Sequence, residues 1–125
     1  MIFDTDILIW VQRGSTKAAG LVDATTERSI SLLTYMELLQ CPLSKSMQKL
    51  AKDFLSDFNF EILPITEKIG HRAAVYIEEL SLATGMRAGD AIIAATAVEH
   101  NLVLASGDRK HFKNIQGLKL KLFKP

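Results

Sequence analysis

The chain has 125 residues, with 15 Lys and Arg against 14 Asp and Glu, and is 48% hydrophobic and 23% charged, a balance that excludes a disordered tail or linker and describes one globular domain over residues 1–125. Its mean hydropathy of +0.14 is on the apolar side for a soluble monomer, which leaves some apolar surface for a partner. The net charge of +1 hides an uneven distribution: Arg109 to Pro125 carries six bases and no acid, leaving nine bases against fourteen acids, a net of −5, in residues 1–108.

Short apolar runs alternate with amphipathic stretches, the pattern of an α/β fold whose parallel sheet is covered on both faces. Met1, Ile2 and Phe3 predict a very short first strand, followed by a helix from about Ile7 to Arg13 that Gly14 stops. A second helix is expected from Thr16 to Glu27, then a strand from Ser29 to Leu33 and a brief helix from Thr34 that Pro42 ends. Ser44 or Ser46 then caps a helix in which Met47, Leu50, Phe54, Leu55 and Phe58 recur at helical spacing. Phe60 to Leu63 reads as a strand closed by Pro64, and Thr66 to Leu82 as a long helix. Asp90 opens a helix to about Asn101, and Leu102 to Ala105 is a strand. His111 and Phe112 read as a packing turn with Phe112 in the core, and Leu118 to Phe123 alternates leucine with lysine as an edge strand protected by Lys119 and Lys121.

The single cysteine, Cys41, cannot close an internal disulfide, and beside Leu38, Leu39 and Pro42 it reads as a small core residue. With no cysteine ligand set, a thiolate zinc site is excluded. Asp4 and Asp6 interrupt the apolar start, which argues against an export signal, and the apolar run Ala91 to Val98 is too short to span a bilayer. A cytoplasmic location with no membrane role is therefore expected.

In parallel sheets, ligands gather outside the carboxyl ends of the strands, where the strand order reverses. Of the 14 acids, Asp4 and Asp6 follow the first strand, Glu37 lies just after the second, Asp90 begins a helix and Asp108 follows the strand Leu102 to Ala105. Each has a structural reading beside the functional one. Thr34 with Glu37 fits a capping box, Asp90 an N-cap and Asp108 an Asx-turn after Ser106-Gly107. Asp6 is preferred as the N-cap of the first helix, whereas Asp4, straight after an apolar strand, has no routine structural duty. It is the recurrence of Asp4, Glu37, Asp90 and Asp108 at strand ends and helix starts that points to a site. Four carboxylates gathered at one sheet end repel by several kcal/mol unless a cation joins them. Oxygen-only ligands favour Mg²⁺ or Mn²⁺, and the matching reaction is phosphodiester hydrolysis.

The blocks Phe3-Asp4-Thr5-Asp6-Ile7-Leu8-Ile9, Thr34-Tyr35-Met36-Glu37-Leu38, Asp90-Ala91-Ile92-Ile93-Ala94-Ala95-Thr96-Ala97 and Leu104-Ala105-Ser106-Gly107-Asp108-Arg109-Lys110-His111-Phe112 resemble the four acidic motifs of the PIN-domain nucleases, most closely those of VapC-type toxins. They run in the family's order and span nearly the whole chain, and the third block is the most specific. The resemblance implies an α/β/α sandwich with a central parallel sheet, Mg²⁺- or Mn²⁺-dependent endoribonuclease activity, homodimerisation and inhibition by a cognate antitoxin that brings a cationic side chain to the carboxylates. Asp4, Glu37, Asp90 and Asp108 take the acidic positions. The chain departs from the family in having Asp6 where Asn is usual and Ser106-Gly107 where Thr-Arg or Thr-Asn is common. Asp6 thereby adds an outer-shell acid and Gly107 removes a polar contact. Fewer residues than usual precede the first aspartate, so a curtailed first strand is expected.

On this reading Asp4 and Asp90 are the primary metal ligands, with Glu37 and Asp108 as secondary ones, direct or through water, orienting the attacking water. Thr34 offers a hydroxyl to the site, although its capping role weighs equally. An all-acidic pocket repels RNA, so Arg87, Arg109 and Lys110, with His111, are placed to bind phosphates; the competing assignment for each is ordinary exposed surface. Leu8, Ile9, Trp10 and Val11, with Met47 and Leu50, are the apolar residues offered to a partner; core burial is the stronger expectation for most of them, with Trp10 the exception. Two other readings remain open. Phe3-Asp4-Thr5-Asp6 also resembles the nucleophile-and-acid pair of haloacid-dehalogenase-like phosphatases, although Ile7 and Leu8 start a helix where that family expects glycine. A catalytically inert PIN-like binding module is the non-enzymatic alternative. A phospho-receiver fails because Asp53 and Asp57 lie on an amphipathic helix rather than at a strand end.

Overall fold

A computed structural model describes residues 1–125. Its five strands are β1 (Ile2–Phe3), β2 (Ser29–Ser31), β3 (Glu61–Leu63), β4 (Val103–Ser106) and β5 (Lys119–Leu122). They form one all-parallel sheet in the order β3-β2-β1-β4-β5. The chain builds outward from β1 to β2 and β3, then crosses back to place β4 on the other side of β1. The strand order therefore reverses between β1 and β4.

Seven helices cover the sheet: α1 (Thr5–Gln12), α2 (Thr16–Ala24), α3 (Leu32–Gln40), α4 (Lys45–Asp57), α5 (Glu67–Thr84), α6 (Ala88–Glu99) and α7 (Arg109–Phe112). The period-2 alternation of a strand sends neighbouring side chains to opposite faces. Ile2 and Leu104 enter one apolar core with Ile69, Tyr76, Ile93 and Phe112, whereas Phe3, Ile30 and Ala105 enter the other with Ile7, Leu8, Val22 and Leu55. This is the α/β/α sandwich expected from the sequence. The α6 segment is apolar nearly all round because Ala91, Ile93, Ala94, Ala95 and Ala97 are all buried, as befits a helix enclosed between the sheet and its neighbours. No helix is long and apolar enough to cross a membrane.

Several boundaries differ from the sequence expectations, and the differences bear on the site. The second strand stops at Ser31, whose side chain accepts from the Leu33 N–H and starts α3 there, so Thr34 lies inside the helix and is no cap. Asp4, not Asp6, is the N-cap of α1, accepting from the Thr5 N–H at 2.7 Å. The sixth helix begins at Ala88 with Arg87 as its N-cap residue, which moves Asp90 into the first turn. The short α7 was not anticipated; Asp108 caps it by accepting from the His111 N–H at 3.1 Å. Phe112 is buried as expected. Cys41 is exposed rather than in the core, because it closes α3 at the start of the solvated turn into α4. Gly85 ends α5 in the left-handed region, at φ 75°, where residues with a Cβ are strained.

Candidate metal centre

Asp4 follows β1 at the point where the strand order reverses. The β1–β4 register pairs Phe3 with Ala105, which sets Asp4 beside Ser106, and the Asp4 N–H continues the ladder to the Ala105 carbonyl at 2.9 Å. The Ser106 hydroxyl donates to Asp4 Oδ2 at 2.7 Å and accepts from the Asp108 N–H at 3.0 Å. One buried hydroxyl thus ties the first acid to the backbone of the last. In the sequence Ser106 stands out only as part of a turn and as a departure from the family pattern, with no role at the site assigned to it.

Glu37 reaches the same place from α3. The Thr5 hydroxyl lies 2.7 Å from Glu37 Oε1 and 3.0 Å from Thr34 Oγ1. A carboxylate oxygen can only accept, so Thr5 donates to Glu37 and its single proton leaves Thr34 as the donor to Thr5. Thr34 is therefore a fully buried support for Thr5, and Thr5 holds Glu37. Asp90 comes from α6, with its Oδ2 accepting from the Arg87 N–H at 3.1 Å.

Asp6 is the fifth acid. Its Oδ2 accepts from the Gly107 N–H at 2.9 Å, a bond that spans 101 positions of sequence. A Cβ at residue 107 would stand 2.9 Å from that same oxygen. Glycine at 107 and a carboxylate at 6, both noted as departures from the family pattern, are therefore one local arrangement. The other Asp6 oxygen, Oδ1, is buried without a hydrogen-bond partner.

A cavity of about 360 Å³ is lined by Asp4, Asp6, Glu37, Asp90 and Asp108, with Arg87 the one basic residue on its wall. Arg109 and Lys110 are exposed on α7, outside the lining. Burial, followed by the nearby Asp6 charge, pushes the Asp4 carboxyl up to about 7, against the lowering effect of its bonds from Ser106 and Thr5. Burial also raises Asp6, helped by Asp108 and Asp90, while the Gly107 N–H opposes the shift. These shifts have the sign expected of carboxylates buried beside one another. The orphaned Asp6 oxygen and the five carboxylates on the wall suit a divalent cation.

The repulsion predicts the effect of Asp6→Asn. The amide oxygen can still accept from Gly107, so only the charge is lost. At pH 7.5 in excess chelator the variant should melt roughly 2–5 °C above the wild type; an equal or lower Tm in a thermal scan would show that Asp6 carries no repulsion.

The sequence matches the PIN domain family over residues 1–118. No curated protein matches it. Among solved structures, a toxin–antitoxin complex from Klebsiella pneumoniae superimposes with a TM-score of 0.79 at 31% identity, covering 94% of this chain and 93% of that one. VapBC2 from Rickettsia felis, bound to a DNA fragment from its promoter, gives 0.78 at 23% identity, with 99% and 100% coverage. DNA-bound VapBC from Salmonella typhimurium gives 0.80 at 20% identity, with 96% and 95% coverage, a likeness of fold.

Proposed function

Because the chain belongs to the PIN domain family, whose VapC-type members are nucleases, we propose that it is the toxin of a toxin–antitoxin pair, a Mg²⁺- or Mn²⁺-dependent endoribonuclease held in check by a cognate antitoxin. The observation that carries this reading is the convergence of five carboxylates from β1–α1, α3, α6 and the β4–α7 turn on one cavity. Asp4 and Asp90 would hold the ion, with Glu37 and Asp108 as further ligands, direct or through water. Held there, such an ion would lend acidity to a water and stabilise charge on the phosphate.

The chain's own residues do the rest. Ser106 holds Asp4 in place and Thr5 holds Glu37. The Asp90 carboxylate is tethered to the start of α6 by the Arg87 N–H. Arg87, on the cavity wall, would donate to an RNA phosphate at the mouth of an otherwise repulsive pocket, with exposed Arg109 and Lys110 further out.

An antitoxin partner is supported by the toxin–antitoxin complex that resembles the whole chain and by apolar surface at the α1–α4 junction. There Val11, Pro42, Met47, Leu50 and Phe54 line an open groove, and Met47 and Leu50 are well exposed. Of the residues expected on such a surface, Leu8 is buried and Ile9 and Trp10 pack against the core beneath α1. Homodimerisation and a cytoplasmic site of action complete the proposal.

The test is cleavage of an RNA panel by the purified chain. Strand scission is expected with Mg²⁺ or Mn²⁺ and none in excess chelator; cleavage that survives chelation would overturn the metal-dependent reading. Turnover of p-nitrophenyl phosphate without RNA scission would favour the phosphatase instead, and metal binding with neither activity the inert module.

A further inference from the structure

His111 stands against the acids rather than among the phosphate-binding bases. Its Nδ1 lies 3.2 Å from Asp90 Oδ2 and 2.5 Å from Asp108 Oδ2. The nitrogen is buried, and neither carboxylate is aligned with it as a hydrogen-bond acceptor. One ligand atom from each of Asp90, Asp108 and His111 falls within 4.8 Å of the others. The residue is held there from two sides: the backbone N–H of His111 donates to Asp108 Oδ1, and the next residue, Phe112, is anchored in the core. Ligand atoms about 2.1 Å from one ion stand about 3 Å apart when adjacent. The Asp90–His111 pair is already at that spacing, and Asp108 has only to open by about half an ångström.

We infer that His111 Nδ1 is a direct metal ligand together with Asp90 and Asp108, so that the centre is a mixed nitrogen–oxygen site that takes Mn²⁺ in preference to Mg²⁺. This rests on the reading of the cavity as a metal centre. Mg²⁺ is served by oxygen donors, whereas imidazole suits transition ions. A carboxylate-only centre would leave Mn²⁺ and Mg²⁺ closer in affinity. A nitrogen donor separates them without any change in the acids.

The experiment uses the full chain loaded with Mn²⁺ alone and reads pulsed electron-spin-echo modulation, which detects a nitrogen bonded to the ion. Modulation from an imidazole nitrogen is expected in the wild type and is expected to vanish in His111→Gln. Calorimetric titration should show the Mn²⁺-to-Mg²⁺ affinity ratio falling by about tenfold in that variant. Bound Mn²⁺ with no nitrogen modulation in the wild type overturns the inference and leaves the carboxylate metal centre standing. So does modulation that persists in His111→Gln, which would belong to exposed His71 or His100. If the wild type binds no Mn²⁺ at all, the inference and the metal-centre reading fall together.

Discussion

Replacement of Asp90 by Asn is expected to lower metal-dependent RNA cleavage by about a thousandfold or more while leaving the fold intact. Asn has the same shape, and its amide oxygen can take the hydrogen bond that the Arg87 N–H now gives Asp90, so the first turn of α6 keeps its geometry. What disappears is an anionic ligand. Loss of a metal's charge stabilisation in the transition state is worth several kcal/mol, and about 4 kcal/mol corresponds to a thousandfold in rate. The same substitution removes one of five mutually repelling charges, so the metal-free variant should melt no lower than the wild type. Single-turnover cleavage with saturating Mn²⁺, paired with a thermal scan in chelator, checks both halves. Activity within about tenfold of the wild type would sink the proposed role of Asp90, and lost activity with a much lower Tm would turn the result into one about folding.

The metal-free protein is expected to lose stability as pH rises toward neutrality, through Asp4. Its carboxyl is pushed from 3.8 to about 7 by burial and by Asp6. Below 3.8 both the folded and unfolded forms are protonated, and above 7 both are ionised. Between these limits the folded form holds more protons, so stability falls as pH rises through the window and is flat beyond it. A shift of that size corresponds to on the order of 4 kcal/mol across the window. Other carboxylates titrate at the acid end, so the quantity to measure is the difference in unfolding free energy between wild type and Asp4→Asn in chelator. That difference should move in favour of Asp4→Asn from pH 4 to pH 7. A level difference would show that Asp4 is solvated as an ordinary surface acid. Metal reverses the trend, because ligation requires the ionised carboxylate: Mn²⁺ affinity should rise with pH and level off above about 7.

The four acids Asp4, Glu37, Asp90 and Asp108 were legible in the sequence because their position is a local property. Asp4 and Asp108 come within two residues of a strand end, Asp90 lies in the first turn of α6 and Glu37 one turn into α3, and apolar runs show roughly where strands give way to helices. The structural alternatives weighed against them fared unevenly. Thr34 caps nothing, since Ser31 starts α3 three residues earlier. Asp90 and Asp108 do satisfy orphan amides at helix starts, and they line the cavity as well; a capping carboxylate still has an oxygen to spare. Asp6 was misjudged as the cap of α1 because an acid three residues after a strand fits that role as well as one immediately after it. The bond from the Thr5 N–H to Asp4 and the bond from the Gly107 N–H to Asp6 separate the two.

The alternation of apolar runs with amphipathic stretches determined the α/β class, the parallel sheet and the sheet end where acids collect, since each depends on short-range patterning. The partners of those acids were decided by the tertiary structure. Ser106 meets Asp4 across 102 positions and Gly107 meets Asp6 across 101, because β1 and β4 pair side by side and no local pattern encodes which strands become neighbours. Burial, which raises Asp4 to about 7, is equally a sum over distant elements. The unforeseen α7 decides the place of His111: read along the chain it is one more base beside Arg109 and Lys110, and in space its ring turns inward to the carboxylates of Asp90 and Asp108.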